Sequence, residues 1–396
     1  MPKVSSRGLA LPPSPIRKLA PYADAAKARG VKVFHLNIGQ PDLETPKVMR
    51  DRLLSIDPVI AYSPSAGTPQ YLAALSRYYA TVGLKVEPSQ LIATTGGSEA
   101  VFFAFLCLAE AGDEVIVAEP FYTNYNSFAA MTGVTLVPVV CRGEEGFHLP
   151  PREAFQAALS PRTRFVLLCN PNNPTGTVYS REEVQRVADF CREHDLFLVS
   201  DEVYREFVYD GLTATSALDL PGLEDRVVVV DSLSKRFSAC GIRLGCLVSR
   251  NADVIATVNR AAQGRLSPPG LAQVLALGMS EIGPSYYEGV RTEYQKRRDV
   301  IYEELSKIPD VFLRKPEGAF YVVARLPVKD SDDFARFLLE RFSFEGATTM
   351  VAPAAGFYAT PGLGMNEVRM AYVLKSDDLK MAIRVLGEGL KAYSRG

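Results

Sequence analysis

Three apolar runs in this 396-residue chain each stop at a cluster of polar residues. The run at 164–169 breaks into Asn-Pro-Asn-Asn-Pro-Thr-Gly at 170–176, where two prolines and a glycine force a rigid turn. The run at 196–199 ends in Ser-Asp-Glu-Val-Tyr at 200–204, and four valines at 227–230 end in Asp-Ser-Leu-Ser-Lys at 231–235. An unbroken β-branched run suits a strand buried on both faces of a parallel sheet. Further strands are predicted at 31–36, 90–94, 114–118 and 135–140. Helices are predicted at 15–29, from residue 69 onward, and at 100–110, 151–159 and 181–194. Strands alternating with helices of this length imply βαβ units and a mostly parallel sheet. In such sheets ligands bind outside the carboxyl ends of the strands, so three consecutive polar strand ends mark a site.

The stretch 227–245 suggests the chemistry. Lys235 lies just past a strand end, with Ser232 and Ser234 before it and Arg243 eight residues after it. A lysine so placed can form a Schiff base with an aldehyde. The two serines and the arginine can hold a phosphate beside it. Together these are what pyridoxal 5′-phosphate (PLP) requires. Read alone, the stretch also suits a polar turn with a solvated lysine, and the rest of the chain decides between the two. Asp201 would pair with the protonated pyridine nitrogen and keep the ring an electron sink. Asn173 and Tyr204 would hydrogen-bond the phenolic oxygen, and Tyr122 would lie flat on the ring. Lys235 would then shuttle a proton between the substrate Cα and the cofactor. Residues 95–99, Thr-Gly-Gly-Ser-Glu, open a helix, where Gly97 and Ser98 offer free N–H groups to the phosphate. Gly39, in the turn-rich segment 37–42, lets backbone approach a ligand closely. Arg369 would take a substrate α-carboxylate in a bidentate fork. Plainer roles compete at several positions: a helix cap for Ser98 or Asp201, core packing for Tyr122, a surface ion pair for Arg369, and an ordinary loop around Gly39.

Composition removes other classes. The formal net charge is -1, with no basic stripe for nucleic acid and no polybasic segment for a membrane surface. The longest apolar stretch, 100–109, is too short to span a bilayer, and the N-terminus lacks the apolar core of a secretory signal. A cytoplasmic protein is the expectation. None of the six cysteines forms Cys-x-x-Cys, which favours reduced core thiols. His35, His148 and His194 are far apart, which argues against a zinc site, and no metal is expected. A long helix at 284–308 carries Arg291, Lys296, Arg297 and Arg298, most simply as a solvated face. After it come a strand at 318–324, a helix at 331–342, strands at 348–352 and 366–372, and a helix at 376–393. These suggest a small α+β domain. The expected division is an N-terminal arm with part of the small domain (1–45), a large PLP-binding domain (46–285) and a small C-terminal domain (286–396).

Seven segments together carry a family resemblance: 37–42, 62–67, 95–100, 170–176, 200–204, 232–245 and 366–372. In these the chain resembles the class I/II aminotransferases, the fold-type I PLP enzymes, and is most similar to the aspartate aminotransferase branch. The resemblance implies an α/β large domain with its mostly parallel sheet flanked by helices, and a smaller α+β domain built from both chain ends. It implies PLP as cofactor, an L-amino acid and a 2-oxo acid as substrates, and a homodimer with shared active sites. By the same resemblance Tyr62 reaches the phosphate of the neighbouring subunit. Residues 264–269 fall where the family's partner loop approaches the substrate side chain. Arg265 is therefore a candidate for a distal carboxylate, with a surface arginine as the equal alternative. Cys240 and Ile242 replace bulkier residues usual between Lys235 and Arg243. The leading expectation is transfer of an amino group from aspartate to 2-oxoglutarate. The alternatives are a C–S β-eliminating lyase, or an aminotransferase for aromatic or aliphatic amino acids, since fold does not fix reaction. A PLP-binding regulator is disfavoured because no winged-helix or basic segment precedes residue 30.

Overall fold

A computed structural model describes residues 2–394. Its strands are β1 (Lys32–His35), β2 (Leu91–Thr94), β3 (Glu114–Glu119), β4 (Thr135–Val140), β5 (Thr163–Cys169), β6 (Phe197–Asp201), β7 (Val227–Ser232), β8 (Gly245–Ser249), β9 (Phe312–Leu313), β10 (Tyr321–Arg325), β11 (Ala347–Met350), β12 (Ala352–Pro353) and β13 (Glu367–Ala371). Seven of them form one sheet in the order β2-β8-β7-β6-β5-β3-β4. Six point the same way, and β8 runs antiparallel to both its neighbours. The fold is thus α/β with a mostly parallel sheet flanked by helices.

The valine run shows why β7 is central. Every residue of β7 is buried. Val227 and Val229 join the apolar cluster on one face of the sheet, and Val228 and Val230 join that on the other. The period of two sends alternate side chains to opposite faces, so only a doubly covered strand is apolar throughout. Burying each valine contributes about 2 kcal/mol before entropy is counted. Register then levels the strand ends. Asn170 N–H donates to the Asp201 carbonyl and Glu202 N–H to that of Val230, both at 2.9 Å. The polar residues after β5, β6 and β7 therefore open on one edge.

The remaining strands form an antiparallel sheet, β12-β13-β10-β9, and a parallel pair, β1-β11. Helix Ala20–Ala28 packs on Ser331–Glu340, and Pro284–Ser306 packs on Ser376–Tyr393. No helix among the described residues is long and apolar enough to cross a membrane.

Several expectations are corrected. The charges of helix Pro284–Ser306 are not all solvated. Arg297 is 2% exposed and pairs with Asp42 at 2.6 Å and Glu293 at 2.8 Å. Arg298 is fully buried against Asp210 and Asp299, both at 2.8 Å. Asp42 and Asp210 lie far away in sequence, so helical periodicity could not show them. The first long helix is Ala20–Ala28 rather than 15–29, because Pro21 in its first turn sets its start. The apolar helix begins four residues early, at Gly96. Lys235 does not sit in an open loop but in one helical turn, Leu233–Arg236. Ser232 caps that turn by accepting from Ser234 N–H at 3.2 Å.

Candidate active site

Twelve of the residues singled out by sequence line one cavity of about 770 Å3: Gly39, Gly97, Ser98, Tyr122, Asn173, Asp201, Tyr204, Ser232, Ser234, Lys235, Arg243 and Arg369. Tyr62 and Arg265 are not among its walls.

The Lys235 amine donates to the Gly39 carbonyl at 2.9 Å and lies 3.7 Å from Cys240 Sγ. Burial lowers its pKa, and the charges of Arg243 and Arg369 act in the same direction. A desolvated lysine that loses its proton more readily is a better nucleophile and base. Gly39 must be glycine for this contact, since a Cβ there would stand 1.8 Å from the Tyr321 hydroxyl.

Asp201 and Glu202 are adjacent at the end of β6 and point to opposite faces, as successive strand residues do. Asp201 faces the cavity. Its carboxylate accepts from the Tyr125 hydroxyl at 2.7 Å and makes no ion pair with any described residue. Burial pushes its pKa up to about 6. Glu202 turns away, accepting from Arg205 at 2.5 Å, Ala217 N–H at 2.9 Å and Ser216 Oγ at 3.1 Å. Within β7, the buried Asp231 pairs with Arg236, and with Arg205 at 3.3 Å. One of these adjacent carboxylates is held by structural cations and the other is left to the cavity.

Asn173 Nδ2 donates to the Tyr204 hydroxyl at 3.3 Å, and that hydroxyl lies 3.0 Å from the Tyr321 hydroxyl. Arg369 is 1% exposed, so it is not a surface ion pair. It donates to Asn173 Oδ1 at 3.3 Å and to the Asn37 carbonyl. Its guanidinium lies over the rings of Tyr321 and Phe357, 4.6 and 5.1 Å from their centroids. Its buried Nε has no partner. Tyr122 stands at 88° to the Tyr125 ring, whose hydroxyl it does not block. At the other end of the cavity, Ser98 lies inside the first turn of helix Gly96–Leu108, with Thr95 at the N-cap, so Ser98 is not the cap. The Ser232 and Ser234 hydroxyls are 2.9 Å apart. Arg243 makes no ion pair with the described acids and donates to the Cys240 carbonyl at 2.9 Å. A Cβ on Gly96 would meet its Nη2 at 2.5 Å, so glycine makes room for that guanidinium.

These features fit PLP. A buried carboxylate without a cation matches a protonated ring nitrogen. A helix N-terminus, two hydroxyls and an unpaired guanidinium match a phosphate. The lysine lies between them.

Sequence reading passed over Tyr125 and Tyr321 as site residues. Tyr125 lies in the first turn of helix Asn124–Thr132 while Tyr122 precedes that helix, so no helical spacing links the two and only tertiary packing brings Tyr125 to Asp201. Tyr321 meets Tyr204 only through tertiary packing. Ser14, Ile16 and Arg17 also line the cavity and carry no local signal. Arg265 lies off the cavity wall in its own chain. It ends helix Ala252–Arg265, and its guanidinium donates to Glu99 at 2.8 Å, the Ser65 carbonyl at 2.8 Å and the Ala93 carbonyl at 3.3 Å. These contacts engage the fork within its own chain, while its buried Nε has no partner.

The comparisons with known proteins agree with this chemistry. The model of the family "Aminotransferase class I and II" matches residues 31–385. The aspartate/prephenate aminotransferase of Thermus thermophilus is 32% identical, over 97% of this chain and 99% of its own. The structure of an aspartate aminotransferase from Thermotoga maritima superposes with TM-score 0.89 at 28% identity, covering 98% of this chain and all of the other. An alanine aminotransferase from Pyrococcus furiosus superposes equally well, at 0.89 and 26% identity, with the same coverage.

Proposed function

Since the chain belongs to the class I and II aminotransferases, a family of PLP enzymes, we propose that its cavity moves the amino group of aspartate to 2-oxoglutarate. The carrying observation is the placement of the buried Lys235 amine between a cation-free Asp201 and an anion-free corner at Arg243. When bound, PLP supplies an aldehyde for the amino group and a cationic ring that draws electrons from the substrate Cα. Lys235 Nζ would hold that aldehyde between turnovers and would move the proton away from and back to the substrate side as general base and acid. Asp201 keeps the ring nitrogen protonated. Tyr204 Oη and Asn173 Nδ2 donate to the phenolic oxygen, and Tyr122 covers the ring. Gly97, Ser98, Ser232, Ser234 and Arg243 hold the phosphate. Arg369 forks the α-carboxylate beside Asn173, and the backbone of Gly39 borders the substrate. Family membership favours this reading over the C–S lyase.

The aspartate preference rests on the named relatives. In steady-state assays with 2-oxoglutarate, kcat/KM for aspartate is expected to exceed that for alanine or phenylalanine by about 10²-fold, as for a site that pairs a second carboxylate. A panel in which either competitor outruns aspartate would sink the aspartate reading.

The proposed working unit is a homodimer in a reducing, cytoplasmic setting that suits six free cysteines. Tyr62 is 82% exposed, in an apolar stretch with Leu54, Val59 and Ile60, at 83, 76 and 62%. Residues 52–55 pack beside helix Gly270–Ala276, whose Leu271 is also exposed. Exposed apolar side chains of this kind suit contact with a second copy of the chain. Light scattering is expected to give twice the chain mass, and Tyr62→Phe to weaken PLP binding. A monomer that binds PLP fully would count against shared sites.

A further inference from the structure

Arg265 is engaged by Glu99 and does not line this chain's cavity, so within the chain a dicarboxylic substrate still needs a cation for its distal carboxylate. Burying an unpaired carboxylate costs several kcal/mol, so the cation must be sought elsewhere. Among the described residues, four cations line the cavity: Arg17, Lys235, Arg243 and Arg369. The last three have roles in the reading above. Arg17 makes no ion pair or side-chain hydrogen bond among the described residues, whereas its neighbour Lys18 is held by Asp332 at 2.5 Å.

The backbone around Arg17 is fixed at the substrate end of the cavity. Arg17 N–H and Lys18 N–H donate to the Ser14 carbonyl at 3.2 and 3.1 Å, closing a turn. Asn37 Nδ2 donates to the Ile16 carbonyl at 3.1 Å, and the Asn37 carbonyl accepts from Arg369. One asparagine therefore ties the Arg17 turn to the guanidinium assigned to the α-carboxylate. Ile16 packs against Phe357, whose ring lies under that same guanidinium. Pro15 sits over Gly356, where a Cβ would meet it at 2.7 Å. Arg17 shares the cavity wall with Tyr122, Arg243 and Arg369.

We propose that Arg17, from the N-terminal segment of the same chain, binds the distal carboxylate of the dicarboxylic substrate while Arg369 holds the α-carboxylate. The proposal rests on the aspartate reading above. The long arginine stem lets an exposed head reach into the cavity. A substrate filling that cavity excludes water from the pair and strengthens it relative to an exposed ion pair. Because 2-oxoglutarate is also a dicarboxylate, one arginine would serve both halves of the exchange.

The test uses the holoenzyme and three variants: Arg17→Leu, Arg17→Lys and, as a control on the neighbouring ion pair, Lys18→Leu. In Arg17→Leu the ratio of kcat/KM for aspartate to that for alanine is expected to fall about 10²-fold, the scale of a lost charge-assisted hydrogen bond, mainly through KM. Arg17→Lys should recover part of the ratio, and Lys18→Leu should leave it as in the parent. Calorimetric titration with succinate, which carries no amino group to transfer, should show the same loss of binding in Arg17→Leu. If the parent prefers aspartate and Arg17→Leu keeps both the ratio and succinate affinity, Arg17 is not the recogniser and the aspartate reading stands. If the parent shows no preference for aspartate over alanine, the aspartate reading fails and this inference with it.

Discussion

Lys235→Ala is expected to lower transamination by about 10⁴-fold or more while the protein still takes up PLP. Both halves of that result follow from geometry. Among the described residues the lysine amine is the only one lining the cavity, so its loss removes the group assigned to take and return the Cα proton. The groups assigned to the phosphate and the ring nitrogen lie on other residues and survive the change. The substitution removes a donor from the Gly39 carbonyl at 2.9 Å but leaves no buried charge behind, so the fold should persist. Cofactor uptake would be read by absorbance and turnover by stopped flow. A variant that keeps even a hundredth of parental turnover would place the base elsewhere.

Asp201→Asn and Glu202→Gln are expected to fail in opposite ways, although the residues are neighbours in sequence. Asp201→Asn keeps shape but cannot hold a proton on the ring nitrogen, and turnover should fall about 10³-fold at nearly unchanged stability. Glu202 is 1% exposed against Arg205 at 7%, so Glu202→Gln leaves a buried guanidinium with only the longer carboxylate contact, to Asp231, which Arg236 shares. That should cost about 3–5 kcal/mol of stability, with a smaller loss of turnover per folded molecule. Asp201 also gives a pH signature. Its folded pKa, about 6, is raised above the ordinary carboxylate value by burial. A raised carboxyl stabilises the fold where it stays protonated, below its ordinary value, and that contribution is lost as pH rises towards about 6. Cofactor-free protein should therefore melt at lower temperature as pH climbs through that window. PLP should remove the slope by supplying a cation, and Asp201→Asn should remove it without PLP. Equal turnover losses in the two variants, or a slope that persists in Asp201→Asn, would contradict the pairing.

What sequence made legible was what lies close together along the chain. The valines of β7, the turn at 170–176 and the pair Asp201–Tyr204 are each local, and register aligned them as strand logic requires. The antiparallel β8 escaped notice because Gly245–Ser249 follows a short helical connection rather than a helix of crossover length. Arg297 and Arg298 looked solvated because the acids that bury with them, Asp42 and Asp210, are remote in sequence. Arg265 and Arg17 show the same limit in the site itself. The loop after Arg265 matched a family position, while its side chain found Glu99 in its own chain. Arg17 sat in a proline-rich arm without local signal, and tertiary contacts through Asn37 bring it to the cavity.

The central claim is that this cavity carries an amino group from aspartate without releasing it. The direct measurement is a single turnover of holoenzyme with aspartate and no 2-oxo acid. The account predicts one equivalent of oxaloacetate per site, no ammonia, and a cofactor absorbance change that reverses when 2-oxoglutarate is added, with one equivalent of glutamate formed. Continuous release of ammonia, or an absorbance unmoved by aspartate, would contradict it.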